Sequence, residues 1–117
     1  MFAQRHVIAV QTDGAGAATA YSPTVTGRIQ AIAYVKTDFT DGVDFTITLE
    51  ATGESLWTDT NINASEIVYP VQKANLGGTG VVSVLLEQPF IAANDRVKIV
   101  IASGGATKIG AFHVVVA

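Results

Sequence analysis

Two histidines, ten carboxylates and five serines are the residues of this 117-residue chain whose types could do chemistry. His6 and His113 fall in the first and last of the strands read below. Pairing of those strands would bring the rings near enough to share a metal ion or a proton, but no third ligand stands at metal-site spacing. The run Asp38-Phe39-Thr40-Asp41-Gly42-Val43-Asp44 places three carboxylates within seven residues, enough oxygen for a calcium ion. It lacks the EF-hand spacing and the closing bidentate Glu. Asp and Gly are also the residues of a tight turn, and Asp44 has a place as the outward residue of a strand. None of Ser22, Ser55, Ser65, Ser83 and Ser103 sits in a Gly-x-Ser-x-Gly elbow. Glycoside hydrolysis needs two acids facing one cleft, whereas Glu50, Glu54 and Glu66 read as turn or outward positions that serve solubility. The segment Asn75-Leu76-Gly77-Gly78-Thr79-Gly80 shares only its glycines with a phosphate-cradling loop, because the Lys-Ser/Thr ending and the following helix are missing. It reads as a flexible loop. The expectation is a protein with no catalytic, metal or cofactor site, and not an enzyme.

Binding chemistry is better represented. Trp57, Tyr69, Tyr34 and Tyr21 could form a flat platform on which sugar rings stack, although Trp57 also suits a core. Asn63-Ala64-Ser65 matches a glycosylation acceptor. The start Met1-Phe2-Ala3-Gln4-Arg5-His6 lacks the basic and apolar regions of a secretory signal, so the match reads as chance and the chain as made in the cytoplasm.

The composition points to association. Hydrophobic residues make up 49% of the chain and charged ones 15%, against about 25% charged in an ordinary soluble domain. Mean hydropathy is +0.38, high for a small body that must cover itself with polar surface, so some apolar side chains are expected to meet a partner. No apolar run reaches the roughly 18 residues of a membrane-crossing helix, and no membrane is expected. Seven basic residues are scattered through a chain of net charge −3. Arg96 and Lys98 are their nearest approach to a cluster, so nucleic acid is not an expected partner. There is no cysteine, which removes disulfides and thiolate metal sites. Stability must come from packing.

The elements that position these residues repeat with a period of two. Val43, Phe45, Ile47, Leu49 and Ala51 alternate with Asp44, Thr46, Thr48 and Glu50, giving a strand with one dry face and one wet. Over residues 27–36 the same parity puts Ile29, Ala31, Ala33 and Val35 on one side, and Asp38 to Gly42 is read as the turn joining these two strands. Further strands are predicted over 5–11, weakly over 18–22, and over 55–60, 65–71, 81–87, 96–102 and 108–116. With no helical period anywhere, 1–117 reads as one all-β domain, an antiparallel β-sandwich or jelly roll of about eight strands. Residues 12–24, rich in small side chains, are expected to order only against a neighbour. The last strands, with Val100 in one and Phe112, His113 and Val115 in the other, are apolar on both faces, so a loop of the same chain or another subunit must cover them. Tyr21, Trp57, Tyr69, Val100, Phe112, His113 and Val115 are the resulting interface candidates.

The start at Met1-Phe2-Ala3, the phrase Tyr21-Ser22-Pro23-Thr24-Val25-Thr26-Gly27, the run Phe90-Ile91-Ala92-Ala93-Asn94-Asp95-Arg96-Val97 and a chain stopping on its final strand at Ala117 together resemble the small β-rich virion proteins of tailed bacteriophages, of the capsid decoration or cement type. The resemblance implies a structural protein of the virion, made in the host cytoplasm, that binds the major capsid protein or another virion protein and self-associates, often as a trimer. Two other expectations stand beside it: a carbohydrate-binding or receptor-recognition module of a tail, and a neck or tail-completion protein.

Overall fold

The computed structural model describes residues 3–75 and 82–117 and is all-β. Eleven strands are present among those residues: β1 (Gln4–Gln11), β2 (Ala18–Tyr21), β3 (Val25–Lys36), β4 (Val43–Leu49), β5 (Ser55–Ile62), β6 (Glu66–Val68), β7 (Val71–Asn75), β8 (Val82–Pro89), β9 (Ile91–Asp95), β10 (Val97–Ala102) and β11 (Ile109–Val116). They form an antiparallel β-sandwich. One sheet runs β1-β11-β3-β6, with β9 added along the first half of β3, and the other runs β2-β10-β4-β5. The glycine-rich segment read as a loop has residues 76–80 outside the described residues.

The inward rows show why alternation built this body. In the first sheet Ile8, Phe112 and Tyr34 stand side by side, and in the second Ala20, Ile99, Ile47 and Trp57 do. Tyr34, Phe45 and Phe112 meet between the sheets with ring centroids 4.7–5.4 Å apart, and Trp57 sits edge-on to Phe45 at 5.5 Å. Such pairs add roughly 0.5–1.5 kcal/mol each beyond the area they bury.

Two departures from the sequence reading have plain causes. Asp38 to Gly42 does not close a hairpin, because β3 and β4 lie in opposite sheets and the segment is a crossover between them. It carries Phe39 into the core, where the ring stacks on Tyr34 with centroids 6.1 Å apart. The single parity assigned to residues 29–36 also fails. Val115 stands opposite Ala31 but Val116 opposite Ile29, a bulge that absorbs one residue of β3. Beyond it Ile32 and Tyr34 face the core, while Ala33 and Val35 face out.

Residues 12–24 are held by the chain itself. Asp13 Oδ1 accepts the amides of Ala15 and Ala17 at 2.8 and 3.1 Å, β2 pairs with β10, and the buried Ser22 hydroxyl receives the Val97 amide. The segment read as one strand over 65–71 is β6 followed by the start of β7. β9 falls where the alternation predicted no strand.

Candidate docking surface

The outer faces of the two sheets differ sharply. Across the β2-β10-β4-β5 sheet the outward rows read Tyr21–Lys98–Thr48–Ser55 and Thr19–Val100–Thr46–Thr58. Hydroxyls dominate that face, with Lys98 the one charge in those rows. Across the other sheet the central outward row reads Val7–His113–Ala33–Ile67, flanked by Ala9–Ala111–Val35 on one side and Arg5–Val115–Ala31 on the other. Val7 is 60% exposed, Ile67 50%, Ile109 46% and Val35 40%. Arg5 is the one fully charged side chain in those rows, and its guanidinium donates to His113 Nδ1. The dry exterior predicted for the last strands therefore belongs to β11, where Val7, Val35 and Ile67 around it stand exposed while Ala31 is buried.

The interface candidates separate accordingly. His113 and Val115 lie on this dry face, half-buried among their neighbours. Phe112 points the other way and has no exposed surface, because adjacent strand residues face opposite sides. Its role is packing. Val100 lies on the wet sheet between Thr19 and Thr46. Trp57 and Tyr34 are core residues, so the four aromatics read as a platform are not brought together. Tyr21 is stacked by the Arg96 guanidinium, whose carbon is 4.2 Å from the ring centroid, and Arg96 is held in turn by both carboxylate oxygens of Glu50. That hydrogen-bonded carboxylate, before any other influence, raises the pKa of Arg96. Tyr69 is 67% exposed.

The residues with catalytic or ligating chemistry are dispersed. His6 and His113 lie on paired strands but on opposite faces, since His6 is opposite Val114 and His113 is opposite Val7. Of the three carboxylates in the 38–44 run, Asp38 accepts the Ile109 amide, Asp41 pairs with Lys36, and Asp44 accepts the Asn61 amide. Among the described residues no three His, Asp or Glu side chains gather as a metal site, and no helix is long and apolar enough to cross a membrane. Asn63 Oδ1 receives the Gly42 amide and Ser65 Oγ the Lys36 amide, so both side chains of the glycosylation-like triplet hold the crossover in place. A cleft between the start of β1, residues 24–27 and the end of β11 has His6 as its one titratable side chain.

A feature that sequence reasoning missed adjoins the dry face. Among the described residues β7 and β8 pair with each other and with no other strand, and β8 lies near β3. Tyr69, Val71 and Ile91 stand exposed at the hairpin's base. The signals in the sequence were Pro70, which interrupts the pattern between β6 and β7, and the glycine-rich run over 75–80.

No known protein family, curated protein or solved structure matches the chain.

Proposed function

We propose that this chain is a non-enzymatic structural protein that docks through the outer face of its β1-β11-β3-β6 sheet, acting as a decoration or cement protein on a tailed-bacteriophage capsid. The observation that carries the docking role is the contrast between the two exteriors: one face is a hydroxyl-rich surface suited to water, the other a floor of alanine, valine and isoleucine around His113 and Arg5. Large exposed apolar patches on soluble bodies mark interaction sites. The capsid as partner is supported by the resemblance of the chain to small virion proteins. A clip of this kind stabilises a shell because it binds the assembled state and adds its binding energy only there, multiplied over many copies.

The test is co-sedimentation of the purified protein with capsids lacking it, alongside two single variants. Val115→Asp puts a carboxylate on the dry floor and should abolish co-sedimentation. Val100→Asp puts one among threonines and should leave it intact. Equal behaviour of the two folded variants, or failure of the unaltered protein to bind shells, would overturn the reading. A sugar-binding role finds less support, since Trp57 and Tyr34 are buried.

A further inference from the structure

We infer that two copies of this chain join through their β1 edges, pairing antiparallel about Ile8 so that the two β1-β11-β3-β6 sheets run on as one. Such a dimer needs no capsid and stands apart from the shell-binding role. β1 pairs with β11 and with no second strand among the described residues. Parity says which of its backbone groups are left over. Thr12 gives its amide to the Lys108 carbonyl, and the β1–β11 register is unbroken from Gln4 to Gln11, so the even-numbered residues of β1 bond inward to β11. Arg5, Val7, Ala9 and Gln11 therefore turn their N–H and C=O groups outward, a ready template for another strand. The other edges of the two main sheets are blunted. β6 is three residues long and β2 four, β9 has five with a register shift against β3, and β5 carries Asp59 and two register shifts against β4. β1 has eight residues, no proline, no bulge and Arg5 as its one full charge.

The same strand from a second copy complements this edge. Centred on Ile8, the register sets Arg5 opposite Gln11 of the second copy and Val7 opposite its Ala9. A cation then meets an amide, apolar meets apolar, and the two Arg5 side chains stand about 20 Å apart along the strands. Each outward residue enters a hydrogen-bonded pair of two bonds, about eight bonds in all, within the roughly 5–15 that a standard interface carries. In strand addition these main-chain bonds supply the affinity. Beside the edge lies a cleft lined by residues 9–13 and 17–20, so the facing sheet does not close over it.

A two-fold axis perpendicular to the sheet keeps Val7 and Ala9 of both copies on one side, and the two dry floors become continuous. Strands about 4.8 Å apart, three of them about 27 Å long and β6 shorter, give each copy a floor of roughly 450 Å² in projection. The pair presents roughly 900 Å², past the ~800 Å² per partner of a standard interface. For the docking role proposed above, the dimer is thus the better-sized unit.

Sedimentation velocity and amide hydrogen exchange test the pairing. At concentrations up to on the order of 1 mM the unaltered chain should pass from monomer to dimer. Ala9→Pro removes one outward N–H and leaves the bonds to β11 in place, and it should weaken the dimer at least about tenfold. Circular dichroism checks its fold, and Val7→Lys, which puts a second charge on the edge, serves in its place where the proline is not tolerated. Val35→Asp, on the dry floor but away from the edge, should leave the dimer intact. Exchange at the Arg5, Val7, Ala9 and Gln11 amides should slow at least about tenfold as the dimer forms, while His6, Ile8 and Val10, already bonded to β11, change little. A chain that stays monomeric, or a dimer that folded edge variants leave as tight as before, would overturn the inference. So would a dimer that Val35→Asp dissolves while the odd-numbered β1 amides stay unprotected, since that outcome marks floor-on-floor association. No capsid is present in these measurements, so their failure is distinct from failure of the shell-binding test.

Discussion

The Arg5 guanidinium donates a hydrogen bond to Nδ1 of His113 at 3.0 Å, diagonally across the β1–β11 pair on the dry face. Guanidinium nitrogens only donate, so Nδ1 must present its lone pair, and the ring proton is on Nε2. Nε2–H is then the ring's remaining donor. Long-range ¹H–¹⁵N spectra should show His113 as the Nε2–H tautomer, and Arg5→Leu should release that preference. Observation of the Nδ1–H tautomer in the unaltered protein would contradict the geometry.

Tyr34 is 1% exposed, and its hydroxyl has no hydrogen-bond partner among the described residues. Burial, assisted by Asp41 and Asp38, pushes its pKa up to about 12 from 10.0. The unfolded chain therefore loses this proton before the folded one does. The contribution to stability is complete below pH 10 and lost as pH rises through about 12. Tyr34→Phe removes an unsatisfied buried polar group while keeping the ring contacts, so stability at pH 7 should be unchanged or higher by about 1 kcal/mol. The alkaline loss should be shallower in the variant. Denaturant melts at pH 7 and pH 11 check both, and marked destabilisation at pH 7 would reveal a partner for the hydroxyl.

Alternation made the sandwich legible wherever one face of a strand was wet, as with Val43 to Leu49. It misread β3 because one bulged residue inverts every side chain after it. The crossover carrying Phe39 has the residue types of a hairpin turn, and local chemistry alone does not say which sheet the next strand joins. The dry face was partly visible. His113 and Val115 belonged to an expected apolar exterior, but its breadth depends on Val7, Val35 and Ile67, whose adjacency comes from register between strands far apart in sequence. Trp57 was assigned two roles, and burial decides for the core.

Gly110 shows the same dependence on distant packing. It lies in β11 between Val10 and Lys36 of the flanking strands, and a Cβ built there would come within 2.7 Å of the Phe39 ring. Phe39 is 2% exposed and stacked on Tyr34, so it has little room to retreat. Gly110→Ala should cost about 1–3 kcal/mol through overpacking. Thermal denaturation gives the measurement, and an unchanged midpoint would mean that the Phe39 plug relaxes freely.

Asp13 organises the turn between β1 and β2 as an acceptor. Besides the two amides at its carboxylate, its backbone carbonyl takes the amides of Gly16 and Thr107, tying this turn to the one preceding β11. The Ala17 and Ala15 amides, in that order, hold its carboxyl below the usual value of 3.8. A depressed folded pKa means the contribution is present above 3.8 and is lost as pH falls through the lower folded value. Acid should therefore loosen residues 13–17 first. Asp13→Asn keeps an acceptor oxygen without the charge and should preserve much of the turn, whereas Asp13→Ala removes the acceptor altogether. Hydrogen exchange at the Ala15 and Ala17 amides should accelerate strongly in the alanine variant and modestly in the asparagine one. Equal protection in all three proteins would show that the backbone bonds of Asp13 hold the turn without its side chain.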